Sequence, residues 1–241
     1  MILRLINMYP NIPNMKVSLL TPSGGRPKQL KLCRRWVENQ RVSNDIDIEH
    51  IVVENDKALI ADNLLKCLEE ATGDIIMIIE DDDYYSPEYV SRTLSSFKDN
   101  AVLVGESRRK RYHFPSRKYL IFNHNLNSAL NTLAFKSDEF ADKFRHILKW
   151  CSKKKNQFVD QILWNSVISS NYPSALSRGD AYCVGIKGLV GRNGAGALHS
   201  PDKLSLSDEC FDVFKEWLGV DSYAYFYEYL RLRSGERPLF D

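Results

Sequence analysis

Four consecutive carboxylates, Glu80, Asp81, Asp82 and Asp83, follow five apolar residues, Ile75 to Ile79, in the stretch "GDIIMIIEDDDYYSPEY". A solvated acidic run has no reason to begin where a buried strand ends. Carboxylates crowded at the mouth of a partly dry site repel one another, and a hard divalent cation with oxygen ligands relieves the repulsion. Mg²⁺ or Mn²⁺ held by one or two carboxylates keeps positions open for phosphate oxygens, which suits a diphosphate leaving group. The plainer alternative is that the acids only cap the helix expected after Ser86.

The elements around this turn decide where it sits. "KVSLLT", "DIEHIVVE" and "DIIMII" are short apolar runs rich in β-branched residues and read as strands. Between them "KQLKLCRRWVENQ" and "ALIADNLLKCLEEATG" carry apolar residues at helical spacing. Strand, helix, strand, helix, strand implies right-handed crossovers and a parallel sheet. In such sheets ligands bind outside the carboxyl ends of the strands, where "TPSGGRP", "ENDKA" and "EDDDYY" converge. Ser86 as N-cap with Pro87 at the first helical position predicts a helix over "SPEYVSRTLSSF", and "AVLVGES" is a fourth strand. Further on come an irregular or hairpin stretch from Tyr112 to Phe122, a strand at "LNTLAFKS", helices at about 138–151 and 158–169, and a strand at "DAYCVGIKG". A helix pair is expected from Phe211 to Leu232.

The chain has 241 residues, 44% hydrophobic and 27% charged, with a net charge of +2, as in an ordinary globular protein. Its five cysteines are scattered without CxxC spacing, which argues against a disulfide framework or structural zinc and for a reducing compartment. No stretch reaches the roughly 18 apolar residues of a membrane span, so a cytoplasmic protein without integral membrane contact is expected. The Pro10 and Pro13 interruptions argue against a signal peptide, and residues 1–14 read as an extension before the domain. Without repeats or low-complexity linkers, one domain over 1–241 is expected. A nucleotide-binding half is expected over about 16–105, a partner-binding half over about 106–200, and C-terminal helices over about 205–241.

"VSLLTPSGGRP", "HIVVEND", "ATGDIIMIIEDDDYYSPEYV" and "VDQILW" together resemble the successive landmarks of the family 2 glycosyltransferases. The resemblance is strong over about 16–105 and thinner to about 200, and it makes those two halves the nucleotide-sugar-binding and acceptor halves. It implies the GT-A fold, an α/β, Rossmann-like mixed sheet flanked by helices, here with a helical C-terminal segment. It also implies an inverting, metal-dependent transfer from a nucleoside diphosphate sugar, a UDP-sugar foremost, to a hydroxyl acceptor. On this resemblance Thr21, Pro22 and Arg26 serve the first nucleotide loop, Glu54 holds the base, and Asn63 lies near the nucleotide, with Asn55 and Asp56 as neighbours. The family's Asp-x-Asp motif falls on Glu80, Asp81 and Asp82, with Glu80 in place of the first Asp. Asp82 is then the direct metal ligand, joined by Glu80, and Asp83 could cap the next turn. Asp160 matches the family's general base, its alternative being a charge stabilised at a helix N-terminus, and Val159 stands where the family often has Glu.

The stretch "GLVGRNGAGALHSP" adds Gly188, Gly191, Gly194 and Gly196 for close approach to phosphates. Lys187 and Arg192 could neutralise those phosphates, and His199 could complete the metal shell. His50, His113, His124 and His146 read as structural or surface residues. Trp36, Trp150, Trp164 and Trp217 read as core, with Trp164 a possible wall for the acceptor. Basic runs at Arg108 to Lys118 and Lys153 to Lys155 fall in the acceptor half and make a polyanionic acceptor, such as a hydroxymethylated base in DNA, a further option beside a saccharide. Two other functions stay open. "SGGRPK" partly fits a nucleotidyltransferase, and the basic runs with Tyr112, His113, Phe114 and Tyr119 fit a non-catalytic nucleic-acid-binding protein.

Overall fold

The computed structural model describes residues 14–98, 100–156, 158–189 and 206–230. Strand β1 (Met15–Ser23) pairs in parallel with β2 (Ile46–Glu54) on one side and β3 (Ile75–Ile78) on the other. The crossovers are α1 (Pro27–Glu38), which opens on Pro27, and α2 (Ile60–Glu70). The central strands are apolar on both faces because both are covered. Val17, Leu19, Ile75 and Met77 join a cluster with Trp36 of α1, whereas Leu20, Ile76 and Ile78 join another with Leu64 and Leu68 of α2.

Beyond β3 the sheet becomes mixed, as the resemblance implied. The strand β5 (Leu103–Glu106) belongs to it but does not touch β3, because β8 (Ala134–Lys136) runs antiparallel between them. A strand absent from the sequence expectation, β9 (Ser174–Ser177), pairs in parallel with β5 at the edge. The order is β2-β1-β3-β8-β5-β9. Helices α4 (Ser137–Lys154) and α5 (Val159–Ser169) cover the α2 side, where Phe140, Phe144, Leu163 and Trp164 are buried. Trp164 is thus a core residue and not an acceptor wall, and Trp150, expected in the core, is 43% exposed.

A second sheet begins at the acidic turn. The two-residue strand β4 (Tyr84–Tyr85) pairs antiparallel with β10 (Cys183–Lys187), and β10 runs parallel to β6 (Arg108–His113). The hairpin expected near Tyr112 to Phe122 starts earlier, with β6 against β7 (Lys118–Asn123), and β11 (Leu206–Ser207) closes the edge. The helix after the acidic turn is α3 (Tyr89–Leu94), which starts three residues later than Ser86. Ser86 does not cap it: its backbone N–H donates to Tyr182 O and its hydroxyl is buried without a partner. The C-terminal helices are α6 (Asp212–Leu218) and α7 (Ser222–Tyr229). They pack Phe211, Phe214, Tyr225 and Phe226 against Tyr112 and Phe114. Glu228 of α7 pairs with Lys31 of α1 at 2.8 Å. All five cysteines are free thiols, and no helix among the described residues is long and apolar enough to cross a membrane.

Candidate functional site

The acidic turn is held at both ends. Ile79 is 1% exposed before it, and Tyr84 and Tyr85 are 3% and 2% exposed after it, so the four carboxylates are pinned between two buried anchors. The Glu80 N–H donates to Tyr85 Oη at 2.8 Å, and Tyr85 donates in turn to Asn131 O at 3.1 Å. Within this short turn the four side chains part company.

Asp81 faces the end of β1, where it accepts from Ser23 Oγ at 2.7 Å and pairs with Arg26. Asp82 pairs with Arg26 Nη1 at 3.1 Å and Lys187 Nζ at 3.5 Å. Asp83 is buried, accepting from Lys187 Nζ at 2.9 Å, from Ile186 N at 3.0 Å and from Asn131 Nδ2. It ties the acidic turn to β10 and does not cap the turn after it. Arg111 Nη1 stands 3.9 Å from Asp83. Gly185, opposite Arg111 in the β6 and β10 register, is what lets that guanidinium in, since a Cβ there would run into it. Gly185→Ala therefore pushes Arg111 off Asp83 and lowers stability by about 1–3 kcal/mol, read by chemical denaturation.

The electrostatics are nearly closed. Burial, with repulsion from Asp83 and Asp82, pushes the Glu80 carboxyl up to about 8. Burial also raises Asp81, against the pull of Arg26. Burial lowers Lys187, but Asp82 and Asp83 outweigh it and keep the ammonium charged. Asp81, Asp82 and Asp83 thus meet three cations, Arg26, Arg111 and Lys187. Glu80, Asp82 and Asp83 still bring one oxygen each within 4.8 Å of one another, a hard donor set that fits Mg²⁺ or Mn²⁺. Asp81 is outside that set, and an ion in it competes with Lys187 for Asp82 and Asp83.

The nucleotide-side residues converge more loosely. Gly25, at φ +75°, lets the loop after β1 approach Asp56 closely. Asn63 is buried, and its amide donates to Ser23 O at 3.1 Å and Asn55 O at 3.2 Å, joining the ends of β1 and β2. Asn55 Oδ1 accepts from the N–H groups of Lys57 and Ala58 and shapes the next turn. Glu54 is exposed at the end of β2, where with Pro27, Leu30 and Arg34 it lines an open groove of about 430 Å³. Thr21 and Pro22 lie inside β1 and not in the loop; the Thr21 hydroxyl is buried 2.8 Å from His50 Nε2. Burial, with Arg34 nearby, pushes His50 down to about 4. An unfolded His takes up its proton near pH 6.5, so the fold loses stability as pH falls from about 6.5 towards 4, by up to about 3 kcal/mol from this residue. In His50→Gln that part of the loss disappears from melts recorded against pH.

Asp160 sits in the first turn of α5, its Oδ1 accepting from Gln161 N at 2.9 Å. Its carboxylate acts electrostatically on Arg109 and His124. Sequence reasoning missed Arg109 and Arg111 as site residues. The available signal was the two-residue period of a strand, which puts 109 and 111 on one face. The same alternation means that Arg108 to Lys118 is no continuous basic stripe, because Arg108 pairs with Asp180 and Lys110 lies over Trp217. Lys153 to Lys155 are exposed. Arg192 and His199 lie outside the described residues, as do Gly191, Gly194 and Gly196.

Comparisons with known proteins bear on the family and the fold. The family model described as "Glycosyl transferase family 2" matches residues 29–155. No curated protein matches the chain in sequence. Among solved structures, S. aureus TarS 1-349 in complex with UDP is similar at a TM-score of 0.51 and 12% identity, over 71% of this chain and 60% of that one. The chain therefore spans less than two thirds of that structure, and the likeness is one of fold: a mixed α/β sheet flanked by helices. A Pyrobaculum calidifontis mannosyltransferase in complex with GDP-Man and Mn²⁺ scores 0.48 at 12% identity, covering 71% of this chain and 56% of that one. A Thermus thermophilus cytidylyltransferase for 2-C-methyl-D-erythritol 4-phosphate scores 0.44 at 16%, covering 70% and 91%.

Proposed function

Because the chain belongs to glycosyl transferase family 2, we propose that it is a glycosyltransferase, an inverting, metal-dependent enzyme of GT-A type that moves a sugar from a UDP-sugar to a hydroxyl of a saccharide. The observation that carries this reading is the trio Glu80, Asp82 and Asp83, held at the carboxyl end of β3, on the same edge of the parallel strands as Glu54 at the end of β2. Residues of about 16–105 form the donor half in this reading. Glu54 and the groove take the base, Arg26 faces the phosphates, and Asn63, Thr21 and Pro22 hold the strand ends that shape the loop. Asp81 keeps Arg26 in place. Glu80 and Asp82 would hold the cation, which supplies positive charge to the departing diphosphate. Arg192 and His199 are proposed to add to the phosphate and metal contacts. UDP is the first nucleotide to test because TarS binds it.

Asp160 is the proposed general base. Its carboxylate takes the proton from the acceptor hydroxyl while that oxygen attacks the anomeric carbon opposite the diphosphate. The new C–O bond forms as the bond to the diphosphate breaks, and the configuration inverts. A hydroxymethylated base in DNA as acceptor would rely on the exposed Lys153 to Lys155 run, since most of the other basic run is turned inward or paired.

Calorimetric titration of UDP, GDP and CDP with Mn²⁺ and again with EDTA tests the reading. One nucleotide binds with Mn²⁺ and is lost with the chelator. Absence of binding by all three under both conditions would overturn it.

A further inference from the structure

On the site-facing side of β6, Arg109 and Arg111 occupy alternate positions but are treated differently. Arg111 has Asp83 within 3.9 Å, and Arg26 has both Asp81 and Asp82. Arg109 makes no ion pair among the described residues. One Nη donates to the neutral amide oxygen of Asn127 at 3.4 Å, the guanidinium lies over the Phe122 ring at 5.9 Å, and Nε is buried without an acceptor. Burial, with Arg111 beside it, pulls Arg109 down to about 10, against smaller upward pulls from Asp160 and Glu80.

A partly buried guanidinium without an ion-pair partner carries a desolvation cost that one long amide contact and a ring face offset only in part. Phe122 and Asn127 nevertheless keep it flat and oriented, with an N–H still to donate. That is the arrangement of a group prepared for a planar or tetrahedral oxyanion, which arginine engages through two N–H groups at once. Asp160 acts on Arg109 electrostatically, which assigns the oxyanion to the side of the proposed base.

We propose that Arg109 anchors a carboxylate or phosphate carried by the acceptor, next to the hydroxyl that reacts, so that the enzyme selects anionic saccharides over neutral ones. This rests on Asp160 being the base and on the donor lying across the Glu80 to Asp83 turn. The anion is a single group seated at Arg109, and an extended basic surface has no part in it. The same chemistry could come from the donor's own diphosphate, and the test separates the two sources.

The full chain is first saturated with UDP and Mn²⁺, and sulfate is then titrated at constant ionic strength against chloride, with binding read by calorimetry. Sulfate binds saturably alongside UDP, and Arg109→Gln weakens it at least tenfold while UDP affinity stays within a factor of two. Arg109→Lys keeps the charge but loses the two-pronged donor, and weakens sulfate several-fold; it carries the test if the glutamine variant does not fold. Sulfate that displaces UDP, or that binds equally well to both variants, or that does not bind beyond the chloride control, overturns the proposal. Failure of UDP itself to bind appears before sulfate is added, and counts against the donor site and not against Arg109.

Discussion

Asp82→Asn lowers Mn²⁺-dependent UDP affinity at least 100-fold and leaves the chain folded. Asparagine keeps the volume and one oxygen but loses the negative charge, and of the three clustered acids Asp82 faces both Arg26 and Lys187. A hundredfold loss corresponds to about 2.7 kcal/mol, a reasonable size for removing an anionic ligand from a hard cation. The stability cost is smaller than for most buried ion pairs because both partners keep a second carboxylate, Arg26 on Asp81 and Lys187 on Asp83. About 1–3 kcal/mol is expected, read as a shift in the denaturation midpoint. The two readouts must separate. If Asp82→Asn binds UDP with wild-type affinity and wild-type response to EDTA, the cation is not held at this turn.

Asp160→Asn lowers kcat for transfer by about 10²–10⁴-fold, the usual contribution of a positioned general base, and leaves UDP affinity unchanged. The substitution discriminates because the asparagine oxygen still accepts from Gln161 N, so the local turn survives while the proton acceptor is gone. Losing a negative charge at a helix N-terminus costs only about 0.3–1 kcal/mol. Activity retained together with a stability loss of that size would make Asp160 a helix charge and nothing more. A fall in UDP affinity parallel to the fall in kcat would place it in the donor site.

Much of the proposed donor half is legible because its signals are local. The run Ile75 to Ile79 before Glu80 says that a buried strand ends in an acidic turn, and the spacing of Leu30, Cys33 and Val37 marks one face of α1, where Leu30 and Cys33 are buried and Val37 is partly buried against the core. The cap at Ser86 fails for a tertiary reason: pairing of Tyr84 and Tyr85 with β10 extends the chain there, so α3 begins at Tyr89.

By itself the sequence determined that a parallel α/β half exists, that four acids gather at one strand end, and that the family landmarks run in order, since each depends on neighbours or on a period of two or 3.6 residues. Only the tertiary structure decided which acid meets which cation. Lys187 reaches Asp82 across 105 positions and Ser23 reaches Asp81 across 58, so no local pattern records either contact. It also decided that β8 inserts between β3 and β5, and that Arg109 and Arg111 turn inward from a run that reads as a basic surface. Strand pairing selects the face on which alternate side chains lie, and that selection is made by partners distant in the chain.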